Sequence, residues 1–253
     1  MTLLSINNPF SAPVFHEETV SSTMLVSREL AVQGQPHGTV ITADFQEAGR
    51  GRIIGRVWEM ERGSSLAFTI MLRYPGIQAF PAALTLRTGL AVCLAIEDFA
   101  PALNWKLRIK WPNDILIDTR KVCGIMTEAD NGTVHIGIGV NLTQNKFPPH
   151  LRDKAASLSL ASGLDISPDS RFKLLEKILH HLYVELSPDA GDWRSRIEGC
   201  LYKKGEQVSF ANGAVGSGEV ITGILAGIGE CGELLITPES QNEPLAFFSG
   251  ELC

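Results

Sequence analysis

Two short stretches concentrate the groups that a polyanion needs. Gln46-Glu47-Ala48-Gly49-Arg50-Gly51-Arg52 runs on to Gly55-Arg56-Val57-Trp58, and Lys110-Trp111-Pro112-Asn113-Asp114 runs on to Asp118-Thr119-Arg120-Lys121. In the first, glycines let backbone approach a ligand closely and let successive N–H groups point at an anion. The arginines add forked donors suited to carboxylate and phosphate oxygens, and Trp58 offers a flat surface to a base. In the second, two lysines, an amide and a carboxylate lie close enough to hold a polyphosphate with its metal. Hard Mg²⁺ accepts a carboxylate plus phosphate oxygens and keeps several waters, which makes Asp114 the candidate for it. A third stretch, Gly137-Ile138-Gly139-Val140-Asn141, is a strand interrupted by glycine, the pattern of close backbone approach to a ligand.

Each stretch has a plainer alternative. The first reads equally as a solvated arginine turn, the second as a corner at Pro112-Asn113 with Lys121 on the surface, the third as a strand packed on a helix. The residues taken singly leave these readings open. Other chemistries find no pattern. There is no P-loop and no spaced glycine fingerprint of a dinucleotide fold. The six histidines, His16, His37, His135, His150, His180 and His181, have no metal-ligand spacing, and no Gly-x-Ser-x-Gly elbow is present.

The elements that must position these stretches follow from periodicity and turn chemistry. The residues through Phe15 read as an irregular arm. Ser21-Ser22-Thr23 predicts a Ser or Thr N-cap for a helix over Met24–Gln33. Gly38–Phe45 and Ser65–Arg73 predict strands on either side of the Gly49–Gly63 loop. Ala79–Phe99 is apolar nearly all round, as in a helix buried against a sheet. Arg108–Trp111 and Ile115–Ile117 predict short strands, and Lys121–Glu128 with Thr133–Leu142 a hairpin around Asp130-Asn131-Gly132. Ser167-Pro168-Asp169 starts a helix that places Phe172, Leu175, Leu179, Leu182 and Leu186 on one face. After Gly199 short β-like runs alternate with Gly, Asn and Glu turns, the texture of a small, separately packed β-barrel. The expected fold is α+β, a mixed sheet packed with helices over 1–198, then an all-β end over 199–253.

Composition bounds the partners. The chain has 253 residues, 44% hydrophobic and 20% charged, enough for a large domain with a smaller one attached. A net charge of −6 argues against nucleic acid as the main partner. No signal peptide and no apolar run long enough to span a bilayer is evident, so no membrane partner is expected. Five scattered cysteines, Cys93, Cys123, Cys200, Cys231 and Cys253, form no Cys-x-x-Cys pair, which fits a reduced cytoplasmic setting.

In this order, Ser22-Thr23, Gln46 through Arg52, Trp58, Ser65–Arg73, Lys110–Asp114, Arg120-Lys121 with Gly124-Ile125, and Gly137–Asn141 resemble the biotin protein ligases (biotin–[acetyl-CoA-carboxylase] ligases). The joint occurrence of Gly-Arg-Gly-Arg and Lys-Trp-Pro-Asn-Asp is what overturns the separate plain readings. The likeness runs from about Val20 to the C-terminus. It implies a catalytic fold like that of class II aminoacyl-tRNA synthetases with an SH3-like end. It also implies a two-step reaction: biotin and Mg·ATP give biotinyl-5′-AMP and pyrophosphate, then biotin passes to a lysine of a biotin carboxyl carrier protein. In the family's pattern Ser22, Thr23, Met24, Gln46, Gly49 and Gly124 line the biotin pocket. Arg50, Gly51 and Arg52 close over biotin and the adenylate. Lys121 contacts the carboxylate and α-phosphate, and with Arg50 and Arg52 carries the catalysis. Arg52, Arg56, Trp58, Asn113, Asp114, Lys121 and Asn141 attend ATP.

Two departures stand out. Met24 occupies the place where the family usually has Asn. Ile53-Ile54 stand where relatives often carry a more polar or basic residue. The segment before Val20 is too short for the DNA-binding module of bifunctional relatives, so no DNA partner is expected; a homodimer is compatible with the family. The nearest alternative is a lipoate or octanoate ligase or transferase of the same fold, and one of another class is a non-catalytic biotin- or carrier-binding protein.

Overall fold

The computed structural model describes residues 1–52, 55, 57–130, 132–213 and 219–253. In chain order come β1 (Thr2–Leu3), β2 (Val14–Val20), α1 (Thr23–Val32), β3 (Val40–Gln46), β4 (Ser65–Arg73), α2 (Leu84–Phe99), β5 (Leu107–Lys110), β6 (Asp114–Ile117), β7 (Arg120–Asp130) and β8 (Thr133–Asn141). Then follow α3 (Leu158–Ser162), α4 (Arg171–Glu185), α5 (Trp193–Gly199), β9 (Gln207–Asn212), β10 (Val220–Ile228), β11 (Leu234–Pro238), β12 (Leu245–Phe247) and β13 (Gly250–Leu252).

The first eight strands form one sheet in the order β1-β2-β3-β4-β8-β7-β6-β5. β2 and β3 are parallel because α1 carries the chain back to the starting end, and the other neighbours are antiparallel. The period of two along each strand assigns the faces. Leu66, Phe68, Ile70 and Leu72 of β4, with Ile136, Ile138 and Val140 of β8, join Leu90 and Ile96 of α2 and Leu175 and Leu179 of α4 in the main core. The alternate residues, Thr69 on β4 and His135 and Gly137 on β8, turn to the other face and meet α1 through Thr23, Ser27 and Met24.

Several sequence boundaries shift, each for a local reason. The apolar stretch does not become helical at Ala79. Ile77–Ala79 make one 3-10 turn, Pro81 keeps Phe80 extended, Ala83 takes a left-handed backbone with φ 53°, and α2 begins at Leu84. Ile77–Phe99, 23 residues with an 18-residue window of mean hydropathy 1.7, is long and apolar enough by composition to cross a membrane, which corrects the expectation that no stretch is. In the fold α2 is a core helix, with Ala91, Val92, Ala95 and Ile96 fully buried. The N-terminal arm is not wholly irregular, since β1 and β2 extend the sheet's margin. Beside the first turn of α2, Glu185 is 1% exposed, and its carboxylate is paired by Arg87 Nε at 3.2 Å and by an Arg196 guanidinium nitrogen at 2.7 Å. That junction ties α2, α4 and α5 together; a buried carboxylate without such partners would carry a large desolvation cost.

β9–β13 form a second, antiparallel sheet in the order β12-β11-β10-β9-β13. Among the described residues it is an open sheet, with β12 and β13 as edges, and not the separately packed barrel expected from the sequence. Its core is continuous with the main one, because Phe210, Leu225 and Ile236 belong to the same hydrophobic cluster as Trp111. Trp111 is the peg between the sheets: 4% exposed, its ring centroid 5.9 Å from that of Phe210, its Nε1–H donating to Gly232 O at 3.0 Å. The backbone crosses too, Ile109 N–H donating to Cys200 O at 2.8 Å and Tyr202 N–H to Ile109 O at 2.9 Å.

Trp111→Ala empties this peg and leaves Gly232 O without its donor. Urea unfolding should show a loss of about 3–5 kcal/mol, the usual cost of a buried Trp→Ala change; a loss below about 1 kcal/mol would mean that the peg does not couple the sheets. A second expectation concerns pH. His135 is 1% exposed with Nδ1 2.8 Å from Ser27 Oγ, and burial, then the nearby Arg28 charge, hold its pKa below the usual histidine value. Its neutral form is therefore favoured by folding, and the unfolded chain binds more protons. Stability drops as pH falls through the ordinary value near 6.5 and levels off below the depressed one. Thermal unfolding between about pH 7.5 and pH 5 should be less pH-sensitive in His135→Asn than in the parent; equal slopes would remove His135 from the acid response.

Candidate active site

The site starts where α1 begins. Ser22 has the extended backbone of an N-cap, yet its side chain makes no capping bond. The exposed N–H at the helix start goes instead to Gln46 at the end of β3: Thr23 N–H donates to Gln46 Oε1 at 2.8 Å, and Thr23 Oγ1 donates to the same oxygen at 3.0 Å. Thr69 Oγ1 in turn donates to Thr23 Oγ1 at 2.9 Å. Ser22 is thus the expected N-cap residue, but the hydrogen bond that caps the helix comes from a strand end and not from the Ser22 side chain.

Glycines clear the floor. On β7 and β8, Gly124 and Gly139 are direct cross-strand partners, and Met126 faces Gly137. A Cβ built on Gly139 would lie 2.7 Å from the Trp58 indole, and one on Gly124 would lie 3.1 Å from both Trp58 and the Lys121 ammonium. A Cβ on Gly137 would lie 2.9 Å from Met24 Sδ. Trp58 and Met24 therefore lie directly on strand backbone, and Met24 is buried at 5% exposure.

Over this floor passes the arginine loop. Glu47 N–H and Ala48 N–H donate to Val20 O and Ser21 O, binding the loop's start to the entry of α1. Trp58 N–H donates to Gly49 O at 3.0 Å, and Arg50 bridges Val57 in antiparallel fashion. Gly49 is buried against Trp58, whose carbonyl would sit 3.0 Å from a Cβ there. Arg50 and Arg52 are exposed, and Arg52 donates to Gly250 O of β13 at 3.0 Å, so the second sheet reaches the rim. At the far end of the loop Arg171 pairs with Asp44 at 2.6 Å.

The charge of the site centres on Lys121. Its backbone is clamped by Lys121 N–H to Lys154 O at 2.7 Å and Ala156 N–H to Lys121 O at 3.0 Å. Its ammonium lies 2.7 Å from Asp114 Oδ1 and 5.7 Å from the Trp58 ring centroid. That carboxylate oxygen is buried with no hydrogen bond aligned onto it, so the contact is Coulombic. Among the described residues no group of three His, Cys, Asp or Glu side chains converges as a metal cage. Asp114 alone still suits Mg²⁺, which asks for one or two carboxylates and takes its other ligands from phosphate and water. Neighbouring Cys123 is no nucleophile, since burial pushes its thiol well up despite Lys121.

The cleft is lined by Ser22, Thr23, Met24, Gln46, Arg50, Gly51, Arg52, Trp58, Asn113, Lys121 and Gly124, all singled out from the sequence. Ile125, Met126, Gly137, Ile138 and Gly139 complete it. For Gly137, Ile138 and Gly139 the signal was the glycine-interrupted strand, which marked β8 without saying what lay on it; Ile125 and Met126 come from β7. Gly49 and Asp114 stand just behind the lining, under Trp58 and beside Lys121. Asn141 is 5% exposed and donates to Ala156 O at 3.1 Å, while Asn113 donates through its amide to Ile125 O at 2.8 Å and ties the β5–β6 turn to β7. Arg56 and Ile53-Ile54 lie outside the described residues.

Comparison with known proteins agrees with this geometry. The sequence pattern of the biotin/lipoate A/B protein ligase family matches residues 16–145. The bifunctional ligase/repressor BirA of Bacillus subtilis is 43% identical over 159 residues, 59% of this chain, so that the chain spans about half, 47%, of that relative. The biotin–[acetyl-CoA-carboxylase] ligase of Paracoccus denitrificans is 30% identical over 227 residues, 83% of this chain and 90% of the relative. Among solved structures, the biotin protein ligase from Aquifex aeolicus in complex with biotin and ATP superposes with a TM-score of 0.76 at 29% identity, covering 95% of this chain and 97% of that one. With more than half of the chain matched and the match covering the cleft-forming segments Ser22–Thr23, Gln46–Trp58, Asn113–Gly124 and Gly137–Gly139, this chain belongs to the biotin/lipoate A/B protein ligase family.

Proposed function

We propose that the chain is an ATP-dependent ligase that forms biotinyl-5′-AMP and transfers the biotinyl group to a lysine of a biotin carboxyl carrier protein. The observation that carries this reading is the composition of one cleft. Neutral hydrogen-bonding groups, Ser22, Thr23 and Gln46, and cations, Arg50, Arg52 and Lys121, line the same glycine-floored space. A substrate with a polar neutral head and a carboxylate tail matches that division, and so does a second, polyanionic substrate.

In the first step a carboxylate oxygen attacks the α-phosphorus of ATP and pyrophosphate leaves. Two anions must meet, and their repulsion is the barrier that fixed cations lower. Lys121 is the half-buried ammonium for the carboxylate and α-phosphate, and its clamped backbone makes it preorganised. Arg50 and Arg52, on the loop over the floor, add charge and cover the product. Trp58 offers its indole to adenine, and Asn113 and Asn141 shape the nucleotide end. Mg²⁺ arriving with ATP would be held by Asp114 and would supply further neutralisation of the phosphates. In the second step the acceptor amine attacks the acyl carbon and AMP leaves. Neither step needs an enzyme nucleophile, in keeping with the inert Cys123. Covering the mixed anhydride limits its hydrolysis. We also read residues 199–253 as the family's SH3-like end domain, its boundary with 1–198 falling at the end of α5.

ATP–pyrophosphate exchange with biotin, lipoate and octanoate side by side tests the substrate. Exchange should require biotin; exchange with lipoate alone would move the chain to the lipoate branch, and none with any acid would make it a binding protein. Lys121→Ala should cut biotin-dependent exchange by on the order of 10²-fold, the scale for a lost preorganised charge contact. Single-turnover rates close to the parent's would remove Lys121 from the role given to it.

A further inference from the structure

The Trp58 indole rests on the cleft floor with its polar edge inward. A Cβ built on Gly139 would lie 2.7 Å from Trp58 Cε2 and Cζ2 and 3.1 Å from Nε1, so the N–H edge of the ring is turned onto β8. There Nε1 is buried and meets no hydrogen-bond acceptor among the described residues. Buried indole N–H groups usually find a partner, and one left without it carries a desolvation cost. Trp111 follows that rule by donating to Gly232 O at 3.0 Å. Trp58 does not, and its ring is held by contact with strand backbone and by the Lys121 ammonium 5.7 Å from its centroid. The same floor joins the two ends that an acid must reach. Thr23 and Gln46 stand beside Met24, whose Sδ would be 2.9 Å from a Cβ on Gly137. Lys121 stands at the other end: a Cβ on Gly124 would lie 3.1 Å from its Nζ and 3.1 Å from Trp58 Cζ3. Gly139, the cross-strand partner of Gly124, is two residues from Gly137 and on the same face of β8. A neutral head at Thr23 and a carboxylate at Lys121 are therefore joined across Gly139, where the indole lies.

We propose that the Trp58 indole is an internal plug: in the empty chain it fills the place over Gly139 that the acid's chain takes, and the bound acid displaces it from the floor. This rests on the acid-activating function given above. The unpaired N–H makes the plug easy to release, because leaving the floor returns that group to hydrogen-bond partners. Glycine at 124 and 139 serves both states, admitting the ring when the site is empty and the acid when it is filled.

NMR reads the position of the ring directly. The Trp58 indole signals are assigned by their loss in Trp58→Phe, which separates them from those of Trp105, Trp111 and Trp193. In the empty parent the ring should show Overhauser contacts to the α protons of Gly139, and saturating biotin should abolish them. Contacts that persist in the biotin complex overturn the plug. Gly139→Ala keeps the ring but denies it the floor, so the contacts to residue 139 should be lost without any ligand; their retention also overturns it. Kinetics give a second readout, rapid filtration with labelled biotin. Trp58→Ala should bind biotin about three- to tenfold faster than the parent, the inverse of an open fraction of about a third to a tenth. A fixed wall or a stacking surface predicts an unchanged association rate with faster dissociation, and that result overturns the plug. A parent that binds no biotin overturns the substrate reading instead. Lipoate and octanoate then take biotin's place in the same measurements, and contacts that persist with the acid that binds overturn the plug.

Discussion

A sheet face stripped of side chains is the constraint on which this site depends. Gly124 and Gly139 face each other across β7 and β8, and Gly137 lies two residues upstream on β8 opposite Met126, so around the Gly124–Gly139 pair the sheet has no side chain of its own to cover its peptide groups. Something else must lie there. α1 covers the Gly137 end with Met24, and the loop after β3 covers the rest with Trp58. Both covers are fixed from the same place, because Gln46 receives the first N–H of α1 and begins the loop. The floor, the helix and the loop are thus one unit, and a methyl group at Gly139 would meet the indole at 2.7 Å.

That unit explains what was legible in the sequence. β4 was read to the residue, because the bulky apolar Leu66, Phe68, Ile70 and Leu72 alternate with Ser65, Ala67, Thr69, Met71 and Arg73. The polar residues of the cleft were legible by another route: Arg50, Arg52 and Lys121 read singly as surface residues, and only the joint occurrence of Gly-Arg-Gly-Arg and Lys-Trp-Pro-Asn-Asp drew them into one site. Ends governed by tertiary contacts were not legible. The helix cap at Thr23 comes from a residue 23 positions away, and the start of α2 depends on a left-handed Ala83 that no propensity foretells.

The same distinction separates the residues of Lys-Trp-Pro-Asn-Asp. Read as a string, it is one phosphate-side motif. In space it divides. Trp111 turns away from the cleft into Phe210 and Gly232, Asn113 binds the β7 backbone and touches the cleft, and Asp114 faces Lys121. The motif does three jobs: it docks the second sheet, ties the β5–β6 turn to β7 and pairs the lysine. Arg52 donating to Gly250 O makes the second sheet a neighbour of the loop as well. The C-terminal strands therefore belong to the site's support, although none of their residues lines it.

Lys121 and Asp114 also set how the site handles charge before any substrate arrives. A half-buried ammonium alone would incur a desolvation cost, and the carboxylate 2.7 Å away offsets it. An ideally bonded pair would be hard to part. Here Asp114 Oδ1 is buried but no donor is aligned onto it, so the pair is held by charge and not by a directed hydrogen bond. In the proposed reaction, a polyanion entering with a hard cation would present each partner with a better match, oxygens for the ammonium and a cation for the carboxylate. Such an exchange would keep the number of paired charges constant while turning the lysine's field from a protein anion to the reacting atoms.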